Sequence, residues 1–153
     1  GVCLLEPHGP TRVNQRQTVE WTELTDGADI TLGHTVQLGF HRPTVLSGSA
    51  RLSFQSDHRP SHSLDGVVLV ADTCLLGPGR DCHIRCSDWE DSVILIHRDQ
   101  QWLVRSPRLA LEVDGHRLRG ESEIGNGQVV TGPDLRFHIE PLKTDSSQRG
   151  AMG

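Results

Sequence analysis

TRVNQRQTVEWTELTDGADITLGHTVQLGFHRP (residues 11–43) holds short apolar runs that alternate with polar residues and are broken by turn formers. Alternation of period two is the signature of a half-buried strand, because successive side chains leave a strand on opposite faces. The segment lies over LEVDGHRLRGESEIGNGQVVTGPDLRFHIEP (111–141). Both pass through Val-Asn or Val-Asp into a turn, then a polar hairpin, then Leu/Ile-x-Asp/Asn-Gly. Both continue with a short strand, a glycine, and an aromatic-bearing strand that ends near proline. The shared order over some thirty residues predicts an internal duplication.

The same period runs through the rest of the chain. ARLSFQ (50–55), GVVLVA (66–71), SVILIHR (92–98), QWLVRS (101–106) and LRFHIE (135–140) are further short strands. Proline and glycine clusters separate them at intervals of about 8–12 residues, the spacing of a β-sandwich. No segment carries apolar residues at helical i, i+3, i+4 spacing over three turns. The expected fold is an all-β antiparallel sandwich.

Composition narrows the function classes. The chain has 153 residues and a formal net charge of −5, and its basic residues are scattered, with Lys143 the one lysine. Without a basic stripe the electrostatic footprint of nucleic-acid binding is missing. No apolar run approaches the roughly 18–20 residues of a membrane helix. The opening GVCLLEPHG has neither a basic start nor an apolar signal core. It begins without Met and in mid-pattern, which predicts a piece of a longer protein. KTDSSQRGAMG (143–153) reads as a flexible tail. Four cysteines are too few for a disulfide scaffold, so a reducing cytoplasmic setting is expected.

CLLGPGRDCHIRC (74–86) admits three readings: a metal knuckle, a phosphate-gripping loop, or two strands joined by a bend. On an extended strand Cys82 and Cys86 would stand about 13 Å apart, too far for one tetrahedral zinc. The strand reading places Cys82, Ile84 and Cys86 inward and His83 and Arg85 outward. SDHRPSHS (56–63) brings His58, Arg59 and His62 into one loop, which is weak ground for a metal site. No Gly-x-Ser-x-Gly, Walker, Rossmann or His-Glu-x-x-His motif occurs. Neither catalysis nor a cofactor or metal is expected.

The repeated unit resembles the closing half of a forkhead-associated (FHA) domain, in which a Val-Asn-Gly turn precedes a Gly-Asp-x-Ile stretch and a final apolar strand. The matching positions are Val13-Asn14, Leu24 to Gly27, Ile30, Gly33 and Val36 to Leu38. In the second copy they are Val113 to Gly115, Ile124 to Gly127, Val130, Gly132 and Leu135 to Phe137. ARLSFQ and VVLVA look like that family's first two strands. CLLGPGRDCHI looks like its Ile-Gly-Arg-Ser segment, and VILIHRDQQWLV like its long hairpin. The resemblance implies a partial FHA-like unit over 1–44, a whole FHA-like sandwich over 45–142, and a tail over 143–153.

The family reads phosphothreonine through an arginine after the first glycine, a serine and histidine before the long hairpin, and an asparagine before the final turn. This chain departs at each. Pro78 follows Gly77, Glu90 and Val93 stand in for serine and histidine, and Leu109 and Gly9 occupy the asparagine positions. The expected unit is therefore degenerate, with Arg80, Ser92, Ser106 and Arg108 as the residues left to form a partner or phosphopeptide surface. The resemblance implies a non-catalytic protein-interaction module, part of a larger bacterial signalling protein, with a protein or peptide partner that carries or lacks a phosphate. The alternative is a structural or oligomerisation scaffold with no peptide ligand.

Two packing expectations follow. Leu69, Leu76, Ile84, Ile94, Ile96, Leu103 and Phe137 should be mostly buried. Trp21, Ile30, Leu32, Val36, Leu38 and Phe40 should need strands from another fragment or copy, because a half-sandwich leaves edges unpaired.

Overall fold

The computed structural model describes residues 1–57 and 64–141, and these form seventeen β-strands and no helix. The loop histidines His58 and His62, with Arg59, and the tail over 143–153 lie outside the described residues. In chain order the strands are β1 (Cys3–Leu5), β2 (Thr11–Val13), β3 (Arg16–Gln17), β4 (Thr22–Leu24), β5 (Asp29–Leu32), β6 (Val36–His41), β7 (Ala50–Phe54), β8 (Gly66–Leu69) and β9 (Thr73–Gly77). They continue with β10 (Ile84–Arg85), β11 (Val93–Arg98), β12 (Gln101–Arg105), β13 (Glu112–Val113), β14 (His116–Arg117), β15 (Ser122–Ile124), β16 (Val129–Thr131) and β17 (Arg136–His138).

Four sheets result. β1 and β4 form a two-stranded sheet that faces a six-stranded one of order β3-β2-β5-β6-β7-β8. Between them Val13, Leu24, Ala28, Ile30, Phe40 and Ala50 are buried. A five-stranded sheet, β10-β9-β11-β12-β15, faces a four-stranded one, β14-β13-β16-β17. Their shared core holds Cys74, Leu76, Val93, Leu95, Val104, Leu111, Val113, Ile124, Val130 and Leu135. Almost all pairing is antiparallel; β10 against β9 is parallel.

Turn chemistry sets the registers. Asn14 and Gln15, Asp99 and Gln100, and Asp114 and Gly115 all take positive φ. Two successive left-handed residues make the primed turn whose twist suits a two-residue hairpin. The Asp99-Gln100 turn joins β11 to β12 in the long hairpin anticipated from the sequence.

Several hydrogen bonds of residues 11–40 recur about one hundred positions later. The Asn14 amide donates to the Asp29 carbonyl at 2.8 Å, as Asp114 does to Val129 at 2.9 Å. Thr18 donates to Thr11 and Leu118 to Leu111; Gly27 donates to Phe40 and Gly127 to Ile139. β1 and β4 pair Cys3, Leu4 and Leu5 with Leu24, Glu23 and Thr22. β12 and β15 pair Trp102, Leu103 and Val104 with Ile124, Glu123 and Ser122.

β7 and β8 fall in the unit over 45–142 of the sequence reading, yet β7 hydrogen-bonds across that boundary to β6 and β8 extends the same sheet from β7. Phe40 faces Leu52 and Leu38 faces Phe54. β8 nevertheless reaches the second core, on which Val68 and Val70 pack. Phe40 and Ile30 are thereby covered, whereas Trp21 and Leu32 stay exposed.

The burial expectations need correction. Leu76 and Ile96 are buried, but Leu69 and Ile84 are exposed, and Ile94, Leu103 and Phe137 are half-buried. In β11 the residues facing the second core are Val93 and Leu95, so Ile94 lies on the opposite face, as alternation requires. A run with apolar residues at every position shows neither alternation nor which face is inner.

Candidate functional site

The bend between β9 and β10 begins at Gly77, where bulk is forbidden. A Cβ there would stand 2.9 Å from Ser92 Cα, just before β11. Pro78 offers no amide, and the turn closes through the Cys82 amide donating to the Gly79 carbonyl at 3.2 Å. The chain then returns beside β9. His83 N–H donates to Leu75 O at 2.9 Å, and Leu75 N–H donates to His83 Nδ1 at 3.0 Å.

This pair of bonds overturns the expected facing of His83 and Ile84, whereas Cys82 is buried and Arg85 exposed as expected. His83 is fully buried and Ile84 is exposed, the reverse of a continuous strand from Cys82 to Cys86. Only Ile84 and Arg85 are extended, because the turn consumes Cys82 and His83. Burial, helped by the nearby Cys82, pushes the Cys74 thiol up to about 11. Burial likewise raises Cys86, again with help from Cys82. Among the described residues no three of His, Cys, Asp and Glu gather to hold a metal ion.

Beside His83 lies a buried polar knot. Ser47 and Ser49 both donate to the Thr73 carbonyl, at 2.9 and 2.5 Å, and Ser49 Oγ accepts from the Ala71 amide at 3.0 Å. These bonds tie the chain entering β7 to the chain entering β9. A backbone donor needs the Nδ1 lone pair, so the His83 ring is neutral with its proton on Nε2. Burial pushes its pKa down, while the Ser49 backbone and Asp81 pull the other way. Ser49 approaches the ring, yet no acceptor among the described residues completes a hydrogen bond to Nε2.

His83 forms one wall of a groove of about 500 Å³. From the six-stranded sheet and the chain beside it come His41, Pro43, Arg51 and Ser53, and from the turn before β5 comes Asp26. From the β9–β10 bend come Arg80, Cys82 and Arg85. The register sets His41 opposite Arg51, and His41 Nε2 lies 3.1 Å from Ser53 Oγ. Asp26, the one carboxylate in the lining, accepts the Arg42 amide at 2.8 Å. Among the described residues none of Arg51, Arg80 and Arg85 makes an ion pair. Three guanidiniums and two imidazoles thus face one carboxylate that is already engaged. Such a surface takes an anion, and guanidinium binds carboxylate or phosphate in bidentate fashion.

Of the four site residues expected from the sequence, Arg80 lines this groove. The other three gather at the adjoining end of the five-stranded sheet. Ser106 Oγ donates to the Ser92 carbonyl at 2.9 Å and accepts from the Leu109 amide at 3.1 Å. Arg108 Nε lies 3.7 Å from Asp91 Oδ2. Cys82 links the two places, with its sulfur 3.7 Å from Ser92 Oγ. Sequence reasoning missed His41, Arg51, His83 and Arg85. Alternation in Ala50–Phe54 could have put Arg51 and Ser53 on one face, but nothing local announces that β7 faces the Arg80 turn.

Comparison of the sequence with family models and curated proteins, and of the structure with solved structures, finds no match.

Proposed function

We propose that this chain is a non-catalytic protein-interaction module of FHA-like type, belonging to a larger cytoplasmic signalling protein of bacterial kind. It holds an acidic or phosphorylated segment of a partner protein in the groove between β7 and the β9–β10 bend. One observation carries the reading: Arg51 from β7 and Arg80 and Arg85 from the β9–β10 bend reach the same groove without an ion-pair partner among the described residues. The self-satisfied Ser92, Ser106 and Arg108 cluster supports the rim and leaves recognition to Arg80 and its two fellow arginines. The cysteines, all free, suit a reducing compartment.

The test is fluorescence anisotropy of the whole chain against acidic peptides and their phosphothreonine counterparts, in low and high salt. The reading expects salt-sensitive binding that Arg51→Ala and Arg80→Ala each weaken by about tenfold or more, since a charged hydrogen bond contributes about 1.5–3 kcal/mol. Preference for the phosphorylated peptides would identify the phosphate as the anion read. Absence of binding to either set, with the chain folded, would favour the scaffold alternative.

A further inference from the structure

The first unit has an edge that its counterpart covers. β12 is hydrogen-bonded on one side to β15 and on the other to β11, where Ile96 faces Leu103, Leu95 faces Val104 and His97 faces Trp102. β1 matches β12 residue for residue against β4, with Leu4 standing where Leu103 stands. Yet the β1–β4 sheet stops at two strands, and among the described residues nothing pairs with the other edge of β1. Leu4 on β1 and Val2 before it are 56% and 63% exposed, and Val19 and Trp21, which lead into β4, are 78% and 61% exposed. Leu103 is half-buried under the same register. An open strand edge surrounded by exposed large apolar side chains marks an interaction surface rather than a solvated face.

We propose that the outer edge of β1 takes an antiparallel strand of β11 chemistry from a segment of a partner protein. The register places a branched aliphatic residue opposite Leu4, in the position Ile96 holds opposite Leu103. The partner strand is apolar at three or four successive positions, like Val93 to Ile96, and ends in a basic residue. In the second unit Arg98 at the end of β11 pairs with Glu121 at 3.5 Å. In the first, Glu6 and Glu20 flank Trp21 in one shallow groove and Glu23 lies opposite Leu4. The same carboxylates argue against a second copy of this chain, which would bring like charge to like charge.

The probe is a synthetic peptide with the sequence of residues 91–99, added to the full chain and followed by hydrogen exchange and tryptophan fluorescence. Exchange at Cys3 to Leu5 should slow by about tenfold or more, and the emission should shift to the blue as Trp21 is covered. A peptide N-methylated at the residues that would donate to β1 keeps its side chains and should lose the effect. Leu4→Arg should lose it too, with its melting temperature showing that the exposed substitution leaves the fold intact. No protection at saturating peptide, or protection at β8 or β17 instead, overturns the proposal. So does concentration-dependent dimerisation of the chain alone that Leu4→Arg abolishes, since the occupant would then be a second copy.

Discussion

Leu75 and His83 hold each other twice: each gives its backbone N–H to the other, Leu75 to the imidazole Nδ1 and His83 to the carbonyl. The pairing fixes a neutral ring in a site with no exposure to water. Its consequence is a pH dependence with a defined sign. In the unfolded chain His83 titrates near 6.5, and in the fold its pKa is lowered, chiefly by burial. Below about pH 6.5 the unfolded state therefore binds a proton that the folded state refuses. The His83 contribution is fully present above that pH and is lost as pH falls toward the folded value. Urea midpoints measured from pH 7.5 down to 5 should fall for the natural chain and fall less for His83→Gln. Equal slopes for the two proteins would refute the buried neutral histidine.

Core substitutions separate the two faces of β11. Leu95 faces the second core, and Leu95→Ala should cost about 2–5 kcal/mol in chemical denaturation. Ile94, on the other face and half-buried, should lose less. The reverse order would mean that the register of β11 against β9 is shifted by one residue.

In the first unit the comparable residue is Phe40, fully buried beneath β1, β4 and β7. Phe40→Ala should cost about 3–5 kcal/mol. Thermal melting would check it, and an unchanged transition would show that residues 1–54 contribute no packed core of their own.

Gly77 and Gly9 give a paired test of backbone approach. A methyl group at Gly77 meets the Ser92 backbone at 2.9 Å, while one at Gly9 meets nothing within 4 Å. Gly77→Ala should destabilise by about 1–3 kcal/mol through overpacking, and Gly9→Ala should leave the melting temperature nearly unchanged. A neutral Gly77→Ala would mean that β9 and β11 are farther apart than described.

Thiol chemistry tests the bend directly. Cys74 and Cys82 are buried, and the Cys74 thiol, pushed up to about 11, stays protonated at neutral pH. Because the thiolate is the nucleophile, native alkylation followed by mass spectrometry should label the half-exposed Cys3 well before Cys74. Rapid labelling of Cys74 in the folded protein would contradict the packing of β9.

The sequence by itself determined the strands and their turns. Alternation in DITLGHTVQLGF and QWLVRS needs no tertiary partner to be read, because it follows from the pleat. The Asn14 and Asp114 turns are legible from residue type, and the structure then adds a long-range bond to each: the side chain accepts an amide fifteen residues on, from Asp29 at 3.0 Å and from Val129 at 2.9 Å. What local pattern does not encode is which edge meets which. Only the tertiary structure joined β7 to β6, turned His83 inward while Ile84 faced out, and carried Arg51 to the groove of Arg80 and Arg85. Each depends on contacts between segments far apart in the chain. Period two fixes that neighbouring side chains oppose one another, but the choice of inner face belongs to whatever packs against them.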